Sequence, residues 1–275
     1  MGKITGFIKK NKAFTFWLFL VVCIALTAVF APLIATHDPA EAILTDALKA
    51  PSGEHWFGTD KLGRDIFSRV IYGTRVSVSA SLILVACILV LGSVLGILAG
   101  YFGGWVDTVI MRIADMMIAF PGMVLAIAVA GILGASITNA VIAIALVSWT
   151  KYARLARSLV LKMKNCDYVA AARVTGSTTA HILLRYMFPN VMPTLIVTAA
   201  TDIGSMMLEL AGLSFLGFGA KPPMAEWGLM LSEGRAYMQN APWMMIFPGL
   251  AILIVVVIFN LLGDSLRDVL DPRDE

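Results

Sequence analysis

Two acidic residues interrupt an apolar stretch of the sequence that runs from position 191 to position 218. Asp202 and Glu209 are seven residues apart, which is two turns of an α-helix, so both side chains lie on one face. Charged groups in apolar surroundings are costly and usually face a water-filled cavity or a bundle interior. Two interpretations stay open: a pathway that attracts an amino group or a metal cation, or a pair of hydrogen-bonding anchors between helices. For Asp115, near the end of another apolar stretch, the anchor is the preferred interpretation.

Soft or nitrogen ligands for a metal are the next chemistry to consider. The chain has 15 methionines, and Met206 and Met207 lie in the same stretch as the two acids. Thioethers bind soft ions such as Cu(I), and methionine more often fills gaps in a core. His37, His55 and His181 all lie outside the apolar stretches. We therefore expect no imidazole chelation inside a pore, and the ligands of any metal stay unknown.

No residue pattern of an enzyme is found in the sequence. It contains no G-x-x-x-x-G-K-[ST] phosphate loop, no H-E-x-x-H motif and no nucleophile paired with a base. Cys23, Cys87 and Cys166 are too few and too scattered for a disulfide framework. We expect neither catalysis nor a cofactor in this chain, and ATP hydrolysis by the chain alone is not expected.

The elements that carry these residues are apolar runs of about twenty residues, the length that crosses a hydrocarbon core of about 30 Å. Apolar residues make up 59% of the chain and charged residues only 14%. This composition predicts an all-α polytopic membrane protein with six transmembrane helices. The runs cover approximately residues 14–35, 76–101, 109–133, 139–159, 191–218 and 243–262.

The distribution of positive charge predicts the orientation in the membrane. With the amino terminus inside, fourteen of the 21 Lys and Arg residues fall in cytosolic segments, as the positive-inside rule requires. Both termini are therefore predicted to be cytosolic. The net charge of +3 reflects this bias, and no nucleic-acid partner is expected. Lys151, Arg154 and Arg157, at helical spacing where the fourth run leaves the bilayer, are interpreted as an anchor for anionic lipids.

Residues 36–75 form the first outer segment. Its Gly, Pro and polar content favours a structural plug at the outer interface. Asp65 is well placed to cap the helix that follows, and Asp65 with Arg69 has the i,i+4 spacing of an ion pair.

A long polar segment separates the fourth and fifth runs. Alanines at 170–172 favour a helix that Gly176 ends in a left-handed conformation. Residues 177–179 supply capping hydroxyls for a second short helix, and Pro189 fits the start of the next run. Two short helices joined at a glycine predict a rigid knob on which another protein docks.

This segment resembles the Glu-Ala-Ala-x-x-x-Gly-x9-Ile-x-Leu-Pro signature of the permeases of bacterial binding-protein-dependent ABC importers. The chain departs from the signature at Ala170, where the family usually has Glu, and at Tyr186 and Phe188. The Ala170 departure removes one acidic contact from the implied ATPase interface. The resemblance implies an ATPase-coupling loop, residues 160–189, with these site residues: Asp167, Tyr168, Ala170, Ala171, Ala172, Gly176, His181, Arg185 and Pro189.

Further motifs place the resemblance in one branch, the second permease subunit of dipeptide, oligopeptide and nickel importers. The similarity extends from residue 54 to residue 273 and includes F-G-T-D-x-x-G-R-D at 57–65, S-F-L-G-F-G at 214–219 and E-W-G at 226–228. It implies a type I ABC-importer permease fold, with an anchor helix and outer segment at 1–75 and a permease core at 76–275. The bacterial cytoplasmic membrane is the implied location.

The implied partners are a homologous second permease, two ATPase subunits that bind ATP and magnesium, an extracellular solute-binding protein and the lipid bilayer. The implied substrate is nickel, as an ion or a chelate, or short peptides. Residues 201–204 followed by Met206 and Met207 are closer to the nickel group. The alternative is an ion-coupled carrier or channel without an ATPase, in which Asp202 and Glu209 relay the ion. The absence of a sequence repeat gives no support to an inverted-repeat carrier.

Overall fold

The computed structural model describes residues 11–270, and within that range the chain is helical and forms no β-strand. The all-α prediction is confirmed. The two chain ends, predicted to be cytosolic, lie outside the described residues. The α-helices are α1 (Lys12–Val29), α2 (Ala31–Ile34), α3 (Ile66–Phe102), α4 (Gly104–Ile118), α5 (Gly122–Leu133), α6 (Ile137–Met163), α7 (Asp167–Val174), α8 (Thr179–Ile182), α9 (Phe188–Phe215), α10 (Trp227–Gly234) and α11 (Trp243–Leu270).

Four helical stretches of the described chain are long and apolar enough to cross a membrane, and a fifth is obtained if a bent pair counts as one span. The helix over the fourth predicted run, α6, is 27 residues long but is not among them. Its second half carries Lys151, Arg154 and Arg157, which lower its mean hydropathy. Composition therefore supports four to five of the six predicted spans.

The third predicted run, 109–133, is not one helix. It divides into α4 and α5, whose axes differ by 95°. The break falls at Pro121, which lacks an N–H group and disfavours helical geometry at the residue before it. The prediction of a single continuous span is wrong here, because the apolar pattern continues across a residue that stops the helix.

The most extensive helix contact joins α3 to α6 and includes glycines at four-residue spacing. A Cβ atom added to Gly92 would lie 2.6 Å from the carbonyl oxygen of Trp149, and one added to Gly100 would lie 2.8 Å from Cβ of Val160. Only glycine permits the two backbones to approach so closely, as in small-xxx-small helix pairs in membranes. This seam forms part of the main apolar core.

The outer segment is held by buried ions. Nε of Arg64 lies 2.6 Å from Oδ2 of Asp60, and both Arg64 and Arg69 donate to the carboxylate of Glu233 at 2.9–3.1 Å. Asp65 caps α3 as predicted, because its Oδ2 accepts from the N–H of Ser68 at 2.8 Å. The predicted Asp65–Arg69 pair is wrong, since the guanidinium turns to the distant Glu233 instead.

Candidate functional site

The predicted coupling-loop helices are present in the structure. The first, α7, ends near Gly176, whose φ of 82° is the left-handed conformation that favours glycine. The N–H of Ser177 closes the helix end by donating to the carbonyl of Ala172 at 3.0 Å. Thr178 caps α8, since its hydroxyl accepts from the N–H of His181 at 3.3 Å. The glycine end of the first helix and the capped start of the second are therefore as predicted, but the second is not a separate short helix.

Pro189 is the second residue of α9, but no break separates α8 from α9. A π-helical turn over Leu183–Met187 joins them into one continuous helix. The side chain of Asn190 donates to the carbonyl of Tyr186 at 2.6 Å. The π turn thus carries the helix past a proline that breaks the α-helical hydrogen-bond pattern.

The coupling loop has a buried face and an exposed face. Val169, Ala172 and Ile182 are buried against the main core, so Ala172 is a packing residue and does not reach the surface. The remaining loop residues named from the resemblance are exposed to solvent: Asp167, Tyr168, Ala170, Ala171, Gly176, His181, Arg185 and Pro189.

Two exposed apolar side chains of the loop were missed by the sequence reasoning. Val174 is 88% exposed and Leu184 is 71% exposed, although both lie among charged and polar residues of the chain. Apolar residues within a run of exposed polar ones were the available signal. Exposed apolar groups beside small alanines provide the kind of surface that a partner protein buries.

Aromatic contacts fix the loop on the helix bundle. The Tyr168 and Tyr186 rings lie 6.2 Å apart, and the His181 ring meets Tyr186 edge-on at 5.9 Å. The guanidinium of Arg173 lies 5.6 Å from the centre of the Tyr101 ring at the end of α3. These contacts join α7 to α3 and to the π turn.

A cavity of about 460 Å³ opens beside the break between α4 and α5. Asp202 and Glu209, predicted to share a face of one helix, both line it. The whole lining comes from five helices, and it includes Met117, Phe120, Thr150, Lys151, Tyr152, Ser205 and Met206. Among the described residues, the lining of this cavity contains no histidine and no cysteine.

The two acids differ in their partners. Nζ of Lys151 lies 2.7 and 2.8 Å from the carboxylate oxygens of Asp202, and the Tyr152 hydroxyl donates to Asp202 at 2.9 Å. Asp202 is therefore an anchor between α6 and α9 and part of the cavity wall. Glu209 accepts no hydrogen bond from residues 11–270. Its carboxyl group is the acidic group of the cavity wall without a hydrogen-bond partner among these residues, and it interacts electrostatically with Lys151 and Asp202.

The lipid anchor on α6 remains a prediction, but its cations are not unpaired. Each of its three cations has an acidic partner on a neighbouring helix: Lys151 pairs with Asp202, and the side chains of Arg154 and Arg157 contact those of Asp115 and Asp107. The preferred interpretation of Asp115 as an anchor is confirmed. The helical spacing of the cations was read correctly, but partners 39 to 51 residues away in sequence give no local signal.

The long apolar helices define a multi-pass helical membrane protein with a cavity between its helices. Residues 92–274 match the family described as binding-protein-dependent transport system inner membrane component, and residues 8–51 match the N-terminal TM domain of oligopeptide transport permease C. The chain therefore belongs to the family of binding-protein-dependent transport system inner membrane components. It is the permease subunit of an ATP-driven ABC importer and not an enzyme, and its family works with ATPase and binding-protein partners.

Two relatives illustrate the similarity over nearly the whole chain. The dipeptide transport system permease protein of Alkalihalophilus pseudofirmus is 45% identical over 97% of this chain and 88% of the relative. The nickel transport system permease protein of Escherichia coli K12 is 44% identical over 93% of this chain and 92% of the relative. Because the chain belongs to this family, the alternative of an ion-coupled carrier acting without an ATPase no longer applies.

A solved structure shares the fold. A chain of the MetNI methionine ABC transporter, in an inward-facing conformation, superposes with a TM-score of 0.61 at 15% identity. The match covers 75% of this chain and 98% of that one. This chain therefore has the fold of a type I importer permease, as the solved ABC transporter does.

Proposed function

We propose that this chain is a six-helix half-pore that imports short peptides, with a chelated nickel ion as the second substrate class. The observation that carries the proposal is the carboxyl group of Glu209 in the cavity wall, which has no hydrogen-bond partner among residues 11–270. A peptide amino terminus is a cation that a carboxylate binds through charge-assisted hydrogen bonds. Relatives that transport dipeptides and nickel support these two substrate classes.

The cavity chemistry favours the peptide over a bare metal ion. Nickel binds well to imidazole, and soft ions bind thiolate and thioether ligands. The wall offers carboxyl groups, a tyrosine, hydroxyls and the methionines Met117 and Met206, without histidine or cysteine. A nickel ion enclosed in a chelator would need no ligands from the wall, and on this proposal nickel crosses in that form.

The membrane topology and the partners belong to the same proposal. Six spans place both termini and the coupling loop in the cytosol, with residues 1–75 as anchor and outer segment and 76–275 as permease core. Such a half-pore pairs with a homologous second permease, two ATPase subunits that bind ATP and magnesium, and an extracellular solute-binding protein. The exposed apolar residues Val174 and Leu184 support docking of an ATPase at the coupling loop.

The test is uptake in bacteria that lack only this subunit and receive it back in wild-type or variant form. We expect restored uptake of a labelled dipeptide, and Glu209→Gln to raise its KM about tenfold or more, because a charged hydrogen bond contributes about 1.5–3 kcal/mol. The matched control is Glu41→Gln, an exposed acid of the outer segment. Rescue of free nickel uptake alone, or an unchanged dipeptide KM for Glu209→Gln, contradicts the proposal.

A further inference from the structure

A cluster of metal-ligating side chains lies in the segment between α2 and α3. His37, His55 and Asp65 each place one ligand atom within 4.8 Å of the others. Oδ1 of Asp65 lies 3.0 Å from Nδ1 of His55 and 3.9 Å from Nδ1 of His37. None of the three lines the cavity described above. The cluster is therefore separate from the candidate pathway for the transported substrate.

The backbone positions these three side chains independently of any ligand. The N–H of His37 donates to the hydroxyl of Ser68 at 3.0 Å, which ties residue 37 to the first turn of α3. Asp65 is fixed by its role as the helix cap. The N–H of His55 donates to the hydroxyl of Ser52 at 3.1 Å. Three separate parts of the chain thus bring their ligand atoms within 4.8 Å of one another, and Nδ1 of His37 also lies 3.0 Å from the Thr36 hydroxyl.

His55 has an incomplete set of partners. The residue is 3% exposed, and its Nδ1 lies within hydrogen-bond distance of Asp65. Its Nε2 is buried and has no hydrogen-bond partner, while Oδ2 of Asp46 lies 3.7 Å away. A buried polar atom without a partner costs about 1–3 kcal/mol. With the imidazole proton on Nδ1, the Nε2 lone pair would also face a carboxylate.

We propose that His37, His55 and Asp65 bind a divalent transition-metal ion of the zinc class that stays in the protein. A tetrahedral zinc ion has bonds of about 2.0–2.2 Å to nitrogen and carboxylate ligands, which requires ligand atoms about 3.4 Å apart. The two distances to Oδ1 of Asp65, 3.0 and 3.9 Å, lie on either side of that value. Imidazole with carboxylate suits Zn²⁺, Ni²⁺ or Co²⁺ rather than Mg²⁺ or Ca²⁺.

Binding of the same ion would also account for the unpaired Nε2 of His55. When Nδ1 of His55 binds the metal, the imidazole proton resides on Nε2 and points toward Asp46. A ligating histidine that donates its second N–H to a carboxylate is the usual outer-shell arrangement of such sites. The ion would fasten the segment that contains residues 37 and 55 to the start of α3. This role concerns an ion that is not transported, so it goes beyond the proposed function.

The test uses the purified full chain in detergent, treated with a chelator, dialysed and titrated with Zn²⁺ by calorimetry and with Co²⁺ by visible absorption. We expect one ion per chain. His37→Ala removes a ligand at a residue only partly buried and should weaken binding at least about tenfold, while Asp46→Asn, next to the ligand shell, should weaken it about 10- to 100-fold. His181→Ala, an exposed histidine of the coupling loop, is the matched control and should bind like the wild type.

Thermal unfolding gives a second readout that is independent of transport. Zn²⁺ should raise the unfolding midpoint of the wild type and of His181→Ala but not of His37→Ala. The opposite outcome is that the chain binds no ion stoichiometrically and Zn²⁺ leaves the midpoint unchanged. That outcome overturns the proposal, as does equal affinity of the wild type and His37→Ala.

Discussion

The ammonium group of Lys151 contacts both carboxylate oxygens of Asp202, at 2.7 and 2.8 Å, and so joins α6 to α9 at the cavity wall. The lysine side chain is largely exposed, whereas the aspartate is buried. The carboxylate therefore bears most of the desolvation cost of the pair. The ion pair holds two helices together, and its lysine side remains accessible from the cavity.

Breaking the Lys151–Asp202 ion pair should destabilise the protein. Lys151→Met leaves Asp202 with the Tyr152 hydroxyl as its remaining side-chain partner and should lower the free energy of unfolding by about 1–3 kcal/mol. Adding Asp202→Asn should recover part of that loss, because neither charge then remains. Denaturant titration of the two single variants and the double variant in detergent gives the coupling energy. If the single effects were additive, the two residues would not be coupled, which would contradict the prediction. Arg112→Met, an exposed cation of α4, is the control.

The buried carboxylate of Glu233 is a second point at which stability can be tested. Glu233→Gln leaves the guanidinium groups of Arg64 and Arg69 buried with Asp60 as their remaining carboxylate partner. Removing one member of a buried ion network typically costs about 3–5 kcal/mol. We expect a marked drop in the thermal unfolding midpoint. The same substitution at the exposed Glu54 should have no effect, and equal midpoints for the two variants would refute the prediction.

Glu226 should make stability depend on pH. Its carboxylate caps α10 by accepting the N–H groups of Gly228 and Leu229 at 2.8–2.9 Å. Burial raises the pKa of Glu226, and the hydrogen bonds from these N–H groups oppose that effect. The folded protein then binds a proton more tightly than the unfolded chain. The stability from this group is present in full below the usual pKa of a glutamate, about 4.3, and is lost as pH rises through the folded-state pKa.

The measurement is the free energy of unfolding between about pH 4 and 8, compared with that of Glu226→Gln. The variant should show a smaller fall in stability with rising pH, whatever its absolute stability, because Gln does not titrate. A slope unchanged by the substitution would rule out Glu226 as its source. Glu41→Gln, at an exposed carboxyl, should leave the slope as in the wild type.

Charge placed on the coupling loop should disrupt ATPase docking. Leu184→Asp and Val174→Asp replace exposed apolar groups that we expect an ATPase to bury, and each should weaken association at least about 30-fold, the effect of losing about 2 kcal/mol. Leu44→Asp is a closely matched control, since Leu44 is 72% exposed on the outer segment and Leu184 is 71% exposed. Co-purification of ATPase subunits with each variant gives the result. Normal ATPase retention by both loop variants would place docking elsewhere.

Local patterns in the sequence predicted the parts of the fold that local physics decides. Apolar length found the long helices, Gly176 marked the end of α7, and Asp65 was correctly assigned as the cap of α3. Each of these depends on residues within a few positions of one another. The helical spacing of Asp202 and Glu209 likewise placed both on one cavity.

Local sequence patterns did not predict which residues the charged groups pair with. Glu233 is more than 160 positions from Arg64 and Arg69, and Asp202 lies 51 positions from Lys151. Nothing near either arginine shows that its charge is neutralised by a remote acid. The break at Pro121 was missed for a different reason, because the apolar pattern there continues on both sides of the proline.

The glycine seam between α3 and α6 has a mechanical consequence. Two helices whose backbones touch have no compressible side-chain layer between them, so they cannot slide or tilt past each other without a clash. They should act as a single stiff lever during transport. The coupling loop follows α6 directly in sequence. A displacement of that loop would therefore move α6 and α3 together as one unit.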